Sequence, residues 1–355
     1  MFKKITGISM FLASATTLVM AQVAQEEPTS EPLQISGSVD TYYKYDFENV
    51  PNNILTYFAD EHNSISIGMI DIALKKNSGK ASFVGELSFG PRGTFQSIPN
   101  AAPVTSENGV EGFSSFNIQN LYVNYAFTDK FSMTAGYMGT FVGYEVISPV
   151  ANFNYSTSYL FGAGPFQNAG IKATYSFSPK ASLMVGLFND WNIYQDFNGV
   201  SHVGAQLMLA PAEGWSAYLN VLSGYSNQAD GTGTILDLTT SYQITEKFKL
   251  GLNAADYSVS NDNGGYSGVA LYPQYSITPG FSLGARGEYF KVKDAGSTIG
   301  NDFTSLTLSG NLKSGSFTFI PEVRFDNGDA GSFTKNNLIP TENASQFSLA
   351  AVFAF

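Results

Sequence analysis

Between Ser345 and Phe355 the side chains alternate. Phe347, Leu349, Ala351, Phe353 and Phe355 share one parity, and the other is small or polar apart from Val352. A period of two marks a strand with one apolar face. The pattern recurs along the chain and predicts sixteen strands: 33–47, 63–76, 80–90, 115–127, 130–141, 168–177, 180–190, 201–211, 214–224, 233–244, 247–258, 266–277, 280–291, 302–312, 315–326 and 345–355. Phe83/Gly85/Leu87/Phe89, Trp215/Ala217/Leu219/Val221 and Phe317/Phe319/Pro321/Val323/Phe325 are clear apolar faces. In 63–76 the phase slips, with Ile65, Ile67 and Met69 on one parity and Ile70, Ile72 and Leu74 on the other. A β-bulge reconciles them.

Connection length alternates as well. Seven connections are tight, such as Asn77-Ser78-Gly79, Thr128-Asp129, Ser178-Pro179 and Thr278-Pro279, and carry residues suited to short turns. Those at 48–62, 91–114, 142–167, 191–200, 225–232, 259–265, 292–301 and 327–344 are longer. Short periplasmic turns alternating with long extracellular loops predict an all-β fold, a transmembrane antiparallel β-barrel of about 16 strands. An even strand number lets the last strand close on the first, with both termini in the periplasm.

Composition agrees. The chain has 29 Phe, 20 Tyr and 35 Gly, and only 13% of its residues are charged, about half the share of ordinary soluble domains. Lys3 and Lys4, the apolar run Ile8 to Met20 and the small residues of Val19-Met20-Ala21 read as a signal peptide over 1–21, too short to span a membrane as a helix. Residues 22–32 form a polar periplasmic lead-in, and 33–355 the barrel. Removing Lys3 and Lys4 takes the net charge from -11 to -13, which with no basic stripe argues against nucleic acid. With no Cys there is no disulfide framework or thiolate metal site.

Charges within strands carry the functional reading. A lysine or arginine facing lipid near the midplane costs about 2–4 kcal/mol, so strand charges should face inward. Asp40, Lys44, Asp46, Glu86, Lys172, Asp237, Lys249, Arg286, Glu288, Glu322, Arg324 and Asp326 all oppose an apolar face, and Asp71 and Lys75 join them if the bulge is placed correctly. Eight strands enclose only side chains, whereas sixteen leave an aqueous channel. These residues, with Glu145 from the longest loop, are the expected pore lining. That loop, 142–167, carries Phe153, Tyr155, Tyr159, Phe161 and Phe166, and either folds into the lumen or packs outside.

Other chemistry has little support. His62 falls in a loop and His202 opens a strand on its polar parity; both read as solvated histidines, with no serine tied to either, so no enzyme is expected. Asn261-Asp262-Asn263-Gly264-Gly265 and Asp326-Asn327-Gly328-Asp329 offer oxygens to calcium, but turns use the same residues. No metal and no cofactor is expected.

The order of motifs in the first half of the barrel resembles a known family. Gly37-Ser38-Val39-Asp40-Thr41-Tyr42-Tyr43 opens the barrel. Ile118-Gln119-Asn120-Leu121-Tyr122-Val123-Asn124-Tyr125 precedes Gly136-Tyr137-Met138-Gly139-Thr140-Phe141-Val142-Gly143-Tyr144-Glu145. Asn154-Tyr155-Ser156-Thr157-Ser158-Tyr159, Gly164-Pro165-Phe166 and Gly170-Ile171-Lys172-Ala173-Thr174-Tyr175 follow. This resembles the β-barrel porins of the OmpL-like type, outer-membrane proteins of Gram-negative bacteria, most densely over 35–192. Two positions depart from it: Tyr57-Phe58 stands where an Arg-aromatic pair is expected, and Asn189-Asp190-Trp191 where Asn-Gly-Trp is. The resemblance implies a pore.

The expectation is an outer-membrane porin passing small hydrophilic solutes or ions. The alternative is a structural or adhesive barrel with a blocked lumen and ligand-binding outer loops. Expected partners are the outer-membrane bilayer, the assembly machinery that reads Phe353 and Phe355 as an insertion signal, and a homotrimer's other copies. Lumen acids outnumber bases by seven to five outside the bulge. The loops are more one-sided: Glu48, Asp60, Glu61, Glu107, Glu111, Asp196, Asp230, Asp262, Asp294, Asp329 and Glu342 face few bases, among them Arg92, Lys293 and Lys335. An acidic mouth concentrates cations, which predicts weak cation preference.

Overall fold

Strict alternation with no interrupting helix-length apolar run leaves one way to satisfy the backbone in lipid, a sheet without edges. The computed structural model describes residues 31–54, 56–92, 118–193, 196, 199–226 and 231–355. The signal peptide and most of the lead-in, and the loop acids Glu107, Glu111 and Asp230, lie outside these. Sixteen strands close the barrel: β1 (Gln34–Asp46), β2 (Ile65–Ser78), β3 (Ala81–Phe89), β4 (Ile118–Ala126), β5 (Phe131–Gly139), β6 (Gln167–Ser178), β7 (Ala181–Phe188), β8 (His202–Leu209), β9 (Trp215–Ser226), β10 (Gly231–Gln243), β11 (Phe248–Val259), β12 (Gly265–Thr278), β13 (Phe281–Val292), β14 (Asp302–Ser314), β15 (Phe317–Gly328) and β16 (Asn343–Ala354). Each pairs antiparallel with its sequence neighbours, and β16 returns to β1. One short helix, α1 (Tyr159–Ala163), lies in the β5–β6 connection.

Closure rests on the carboxy-terminal strand. Val39 pairs with Phe353 and Tyr45 with Phe347, and the Gly37 and Phe355 backbones exchange both hydrogen bonds at 3.0 Å. On its other edge β16 pairs with β15, Phe353 opposite Phe317. The aromatic end is therefore a fully paired strand, and the start of β1 meets the end of β16 at the turn end of the barrel.

The bulge lies within the predicted strand. The β1–β2 register shifts between Val39/Ile70 and Thr41/Ile67, so Gly68 and Met69 share the space opposite Asp40. The extra residue puts Ile65, Ile67, Ile70 and Ile72 all on the outside, and Asp71 inside, where Ser38 donates to its carboxylate. Gly68 is required here. A Cβ on it would collide with the Asp40 carboxylate, whose other oxygen accepts the Met69 N–H at 2.8 Å.

Outside, the wall is an apolar band of exposed Ile35, Val123, Val185, Leu219, Leu236 and Leu306. Aromatics gather toward the turn end, where Tyr125–Phe127, Phe127–Phe131, Tyr175–Phe177 and Trp215–Tyr242 have ring centroids 4.9, 5.5, 5.2 and 5.4 Å apart. An apolar belt with an aromatic girdle fits lipid and its interface; so much exposed apolar surface would aggregate in water. The buried core is inside, where Phe188, Leu222, Ile235, Tyr266 and Phe290 of the wall pack around Tyr159 and Leu160 of the β5–β6 loop.

Candidate functional site: a loop folded against one inner wall

The β5–β6 loop carries seven aromatics, Phe141 and Tyr144 besides the five named above, which favour burial, and it takes the inner of its two expected places. It crosses the lumen against the wall formed by β10–β16, β1 and β2, and its polar groups meet Asp40, Asp237, Arg286, Glu288, Glu322, Arg324 and Asp326 there. Glu322 accepts the Tyr155 and Ser156 N–H groups at 2.8 and 3.0 Å and the Ser309 hydroxyl at 2.7 Å. Glu288 accepts the first two N–H groups of α1, from Tyr159 and Leu160, at 3.0 and 2.8 Å. A carboxylate there satisfies orphan donors at the positive end of the helix dipole. Ser158 caps the same helix, its Oγ accepting the Phe161 N–H, and donates to Glu145.

Two arginines clamp the loop from the wall. Arg286 pairs with Glu145 at 2.7 Å and donates to the carbonyls of Ser156 and Thr157 at 2.6 and 3.2 Å. Arg324 donates to the Thr157 carbonyl at 2.7 Å, pairs with Asp326 at 2.8 Å and lies 4.9 Å from the Tyr159 ring centroid. Tyr155 and Tyr159 donate their hydroxyls to Asp40 and Asp326, both at 2.6 Å. Asp237 accepts the Gly143 N–H at 3.1 Å and amide hydrogens of Asn220 and Asn253. Wall glycines leave room for the rings: a Cβ at Gly251 would strike the Tyr144 hydroxyl, and one at Gly284 the Phe153 ring. Burial pushes the Tyr144 phenol up to about 12, so it stays protonated at neutral pH. A hydrogen bond to a charged group contributes about 1.5–3 kcal/mol, so this set offsets part of the cost of ordering the segment.

The expected residues thus divide. Asp40, Lys44, Asp46, Glu145, Asp237, Arg286, Glu288, Glu322, Arg324 and Asp326 face inward and are buried. Glu86, Lys172 and Lys249 face inward and keep solvent exposure, as does Lys75. Glu86 accepts from Asn120 at 2.6 Å, and half-buried Tyr122, Thr134 and Tyr218 continue this polar wall along β4, β5 and β9. Among the described residues, the loop covers one side of the lumen and the other side is lined by these half-buried polar groups.

Charge is also separated along the barrel axis. At the loop end Glu48, Asp60, Glu61, Asp196, Asp262, Asp294, Asp329 and Glu342 stand against Lys335, since Lys291 and Lys293 pair with Asp302 and Asp256 at 3.5 and 2.8 Å. At the turn end Lys75, Lys76, Lys80, Lys130, Lys180, Lys247, Lys249 and Lys313 stand against Glu31, Asp129, Glu213 and Glu246. A cavity of about 750 Å³ opens there, lined by Lys180, Glu213, Trp215, Ser241, Gln243 and Lys249 among others.

Two residues, Arg92 and His202, differ from the sequence reading. Arg92, counted as a loop base, is 2% exposed; it donates to the Ile147 carbonyl at 3.2 Å and sits 3.9 Å from Asp40 and 4.4 Å from the Phe58 ring centroid. Asp326 faces inward onto Arg324, as its parity predicted. His202, read as a solvated rim residue, is buried, with Nδ1 2.8 Å from the Ser201 hydroxyl and Nε2 3.7 Å from Asp190. Asp190 also accepts from Ser226 at 2.7 Å, and burial pushes its carboxyl above the usual range. The separation of 3.7 Å exceeds a hydrogen bond, and Asp190 bridges the β7–β8 loop to β9, so the cluster is an anchor. No sequence spacing joined Asp190, His202 and Ser226, because pairing across three strands brings them together. His62 is half-buried and accepts the Asp46 N–H at 3.1 Å.

The model of the family described as "Putative beta-barrel porin-2, OmpL-like" matches residues 32–355. No curated protein matches the chain. Among solved structures, the outer-membrane protein OmpT of Vibrio cholerae, in its trimer form, is 14% identical with a TM-score of 0.58, covering 91% of this chain and 99% of its own. The outer-membrane channel DcaP of Acinetobacter baumannii is 14% identical with a TM-score of 0.58, covering 92% and 97%. An anion-selective porin from Comamonas acidovorans is 11% identical with a TM-score of 0.59, covering 92% and 100%. At these identities the likeness is one of fold.

Proposed function

Because the chain belongs to this family of OmpL-like β-barrel porins, and is an outer-membrane porin-like channel, we propose that it is a passive diffusion pore for small hydrophilic solutes and ions. The observation that carries this reading is the half-buried polar wall from Glu86 and Tyr122 through Lys172 to Lys249, opposite the folded loop. Those residues form the pore lining, and the buried charges behind the loop anchor the segment that narrows it. The in-folded loop also supports the second reading, a structural or adhesive barrel, since it occupies one side of the lumen. Both termini belong in the periplasm, because the short turns and the paired chain ends share one end of the barrel. The trimer form of the Vibrio cholerae relative motivates a homotrimer here.

The purified protein, reconstituted in a planar bilayer, should give discrete conductance steps. Binding of outer-loop ligands without conductance would favour the blocked barrel.

A further inference from the structure

Charge along the lumen changes sign from one end to the other. At the loop end Asp60, Glu61 and Asp329 keep solvent exposure, and behind them the inner wall holds more carboxylates than bases. At the level of Glu86 and Lys172 the two signs balance. Beyond that level, toward the turns, the inward charges among the described residues are Lys75 and Lys249, with Lys180 on the rim of the cavity Lys249 lines. On the pore reading above, we propose that this barrel is a bipolar conduit that rectifies ion current, with a cation-enriched loop half in series with an anion-enriched turn half.

The physics is electrostatic and general. Each charged half concentrates its counter-ion within about a Debye length, about 10 Å at 0.1 M salt and 3 Å at 1 M. When the loop side is positive, cations enter through the half that already holds them, anions enter from the turn side through theirs, and both accumulate in the middle. Under the opposite voltage each ion must enter through the half that repels it, and the middle is depleted. Current should therefore be larger with the loop side positive, and the asymmetry should disappear when salt screens the walls.

The test is the current–voltage curve of the full chain in potassium chloride. Asn336→Cys, in a chain without cysteine, lets a membrane-impermeant thiol reagent report which chamber the loop end faces. The expected result is a current ratio of about two between opposite voltages at about 0.1 M salt, falling to about one at 1 M. The double variant Lys75→Gln/Lys249→Gln should bring the low-salt ratio toward one, and Lys180→Gln, at an exposed rim position, should lower it by less. A symmetric curve at low salt, a larger current with the loop side negative, or a ratio the lysine variants leave unchanged would each overturn the proposal while leaving the pore intact. Absence of conductance would overturn the pore reading and this one together.

Discussion

At the level of single residues, side-chain parity decided most of what could be read. Each strand charge assigned inward from alternation faces inward, because the cost of a charge in lipid leaves no other arrangement. Parity does not say what an inward charge meets. Arg286 and Glu145 are separated by 141 positions, and no local pattern joins them; only the fold of the loop does. That pair supports a prediction. Arg286→Met leaves Glu145 buried beside carbonyls that have lost their donor, and breaking one side of a buried pair costs about 3–5 kcal/mol. The variant should lose its compact form at lower temperature in a heat-modifiability gel. Adding Glu145→Gln should restore part of the loss, since the remaining buried charge is then gone. An Arg286→Met protein as heat-resistant as the parent would show that the pair does not hold the loop.

At the level of elements, the sequence carried two irregularities that the structure explains. The phase slip near residue 69 was visible because isoleucines changed parity, and it becomes a bulge at Gly68–Met69 opposite Asp40. Gly68→Val should prevent the β1–β2 register from forming and reduce folded protein in the outer-membrane fraction, whereas Gly287→Ala, where a Cβ meets nothing within 4 Å, should be tolerated. Equal yields would remove the steric account. The closing strand was equally legible, because its aromatics fall on one parity to the last residue. Deleting Phe353 to Phe355 removes the backbone pair with Gly37 and the Phe353–Phe317 contact. The protein should then accumulate in the periplasm, and a normal outer-membrane yield would argue against a terminal insertion signal. The β5–β6 loop was only half legible. Its aromatics indicated burial, but an inner and an outer surface could both have supplied it. The deciding features, glycines at 251 and 284 on distant strands, have no meaning until the barrel brings them opposite Tyr144 and Phe153.

For the whole molecule, counting inward charges was not enough to assign ion preference. The count of seven acids to five bases treated all twelve as equal, yet most lie buried against the loop and only Glu86, Lys172 and Lys249 of that set keep contact with solvent. The acids that solution meets first are those of the mouth. Asp60 is half-buried and Glu61 exposed, and the Glu61 N–H is bound by the inward-facing Tyr42 hydroxyl at 3.0 Å, which places this pair at the edge of the lumen. Their field reaches about 8 Å at physiological salt, enough to bias ions entering past them but not to govern the turn end. With the dilute solution on the loop side of a potassium chloride gradient, the mouth is the least screened part of the path, and the reversal potential should take the sign of weak potassium preference. Asp60→Asn with Glu61→Gln should move it toward zero, and raising salt on both sides should do the same to the parent. Chloride preference in that geometry, unchanged by the two substitutions, would mean that the basic turn end governs permeation from either side and that the acidic mouth is only a surface feature.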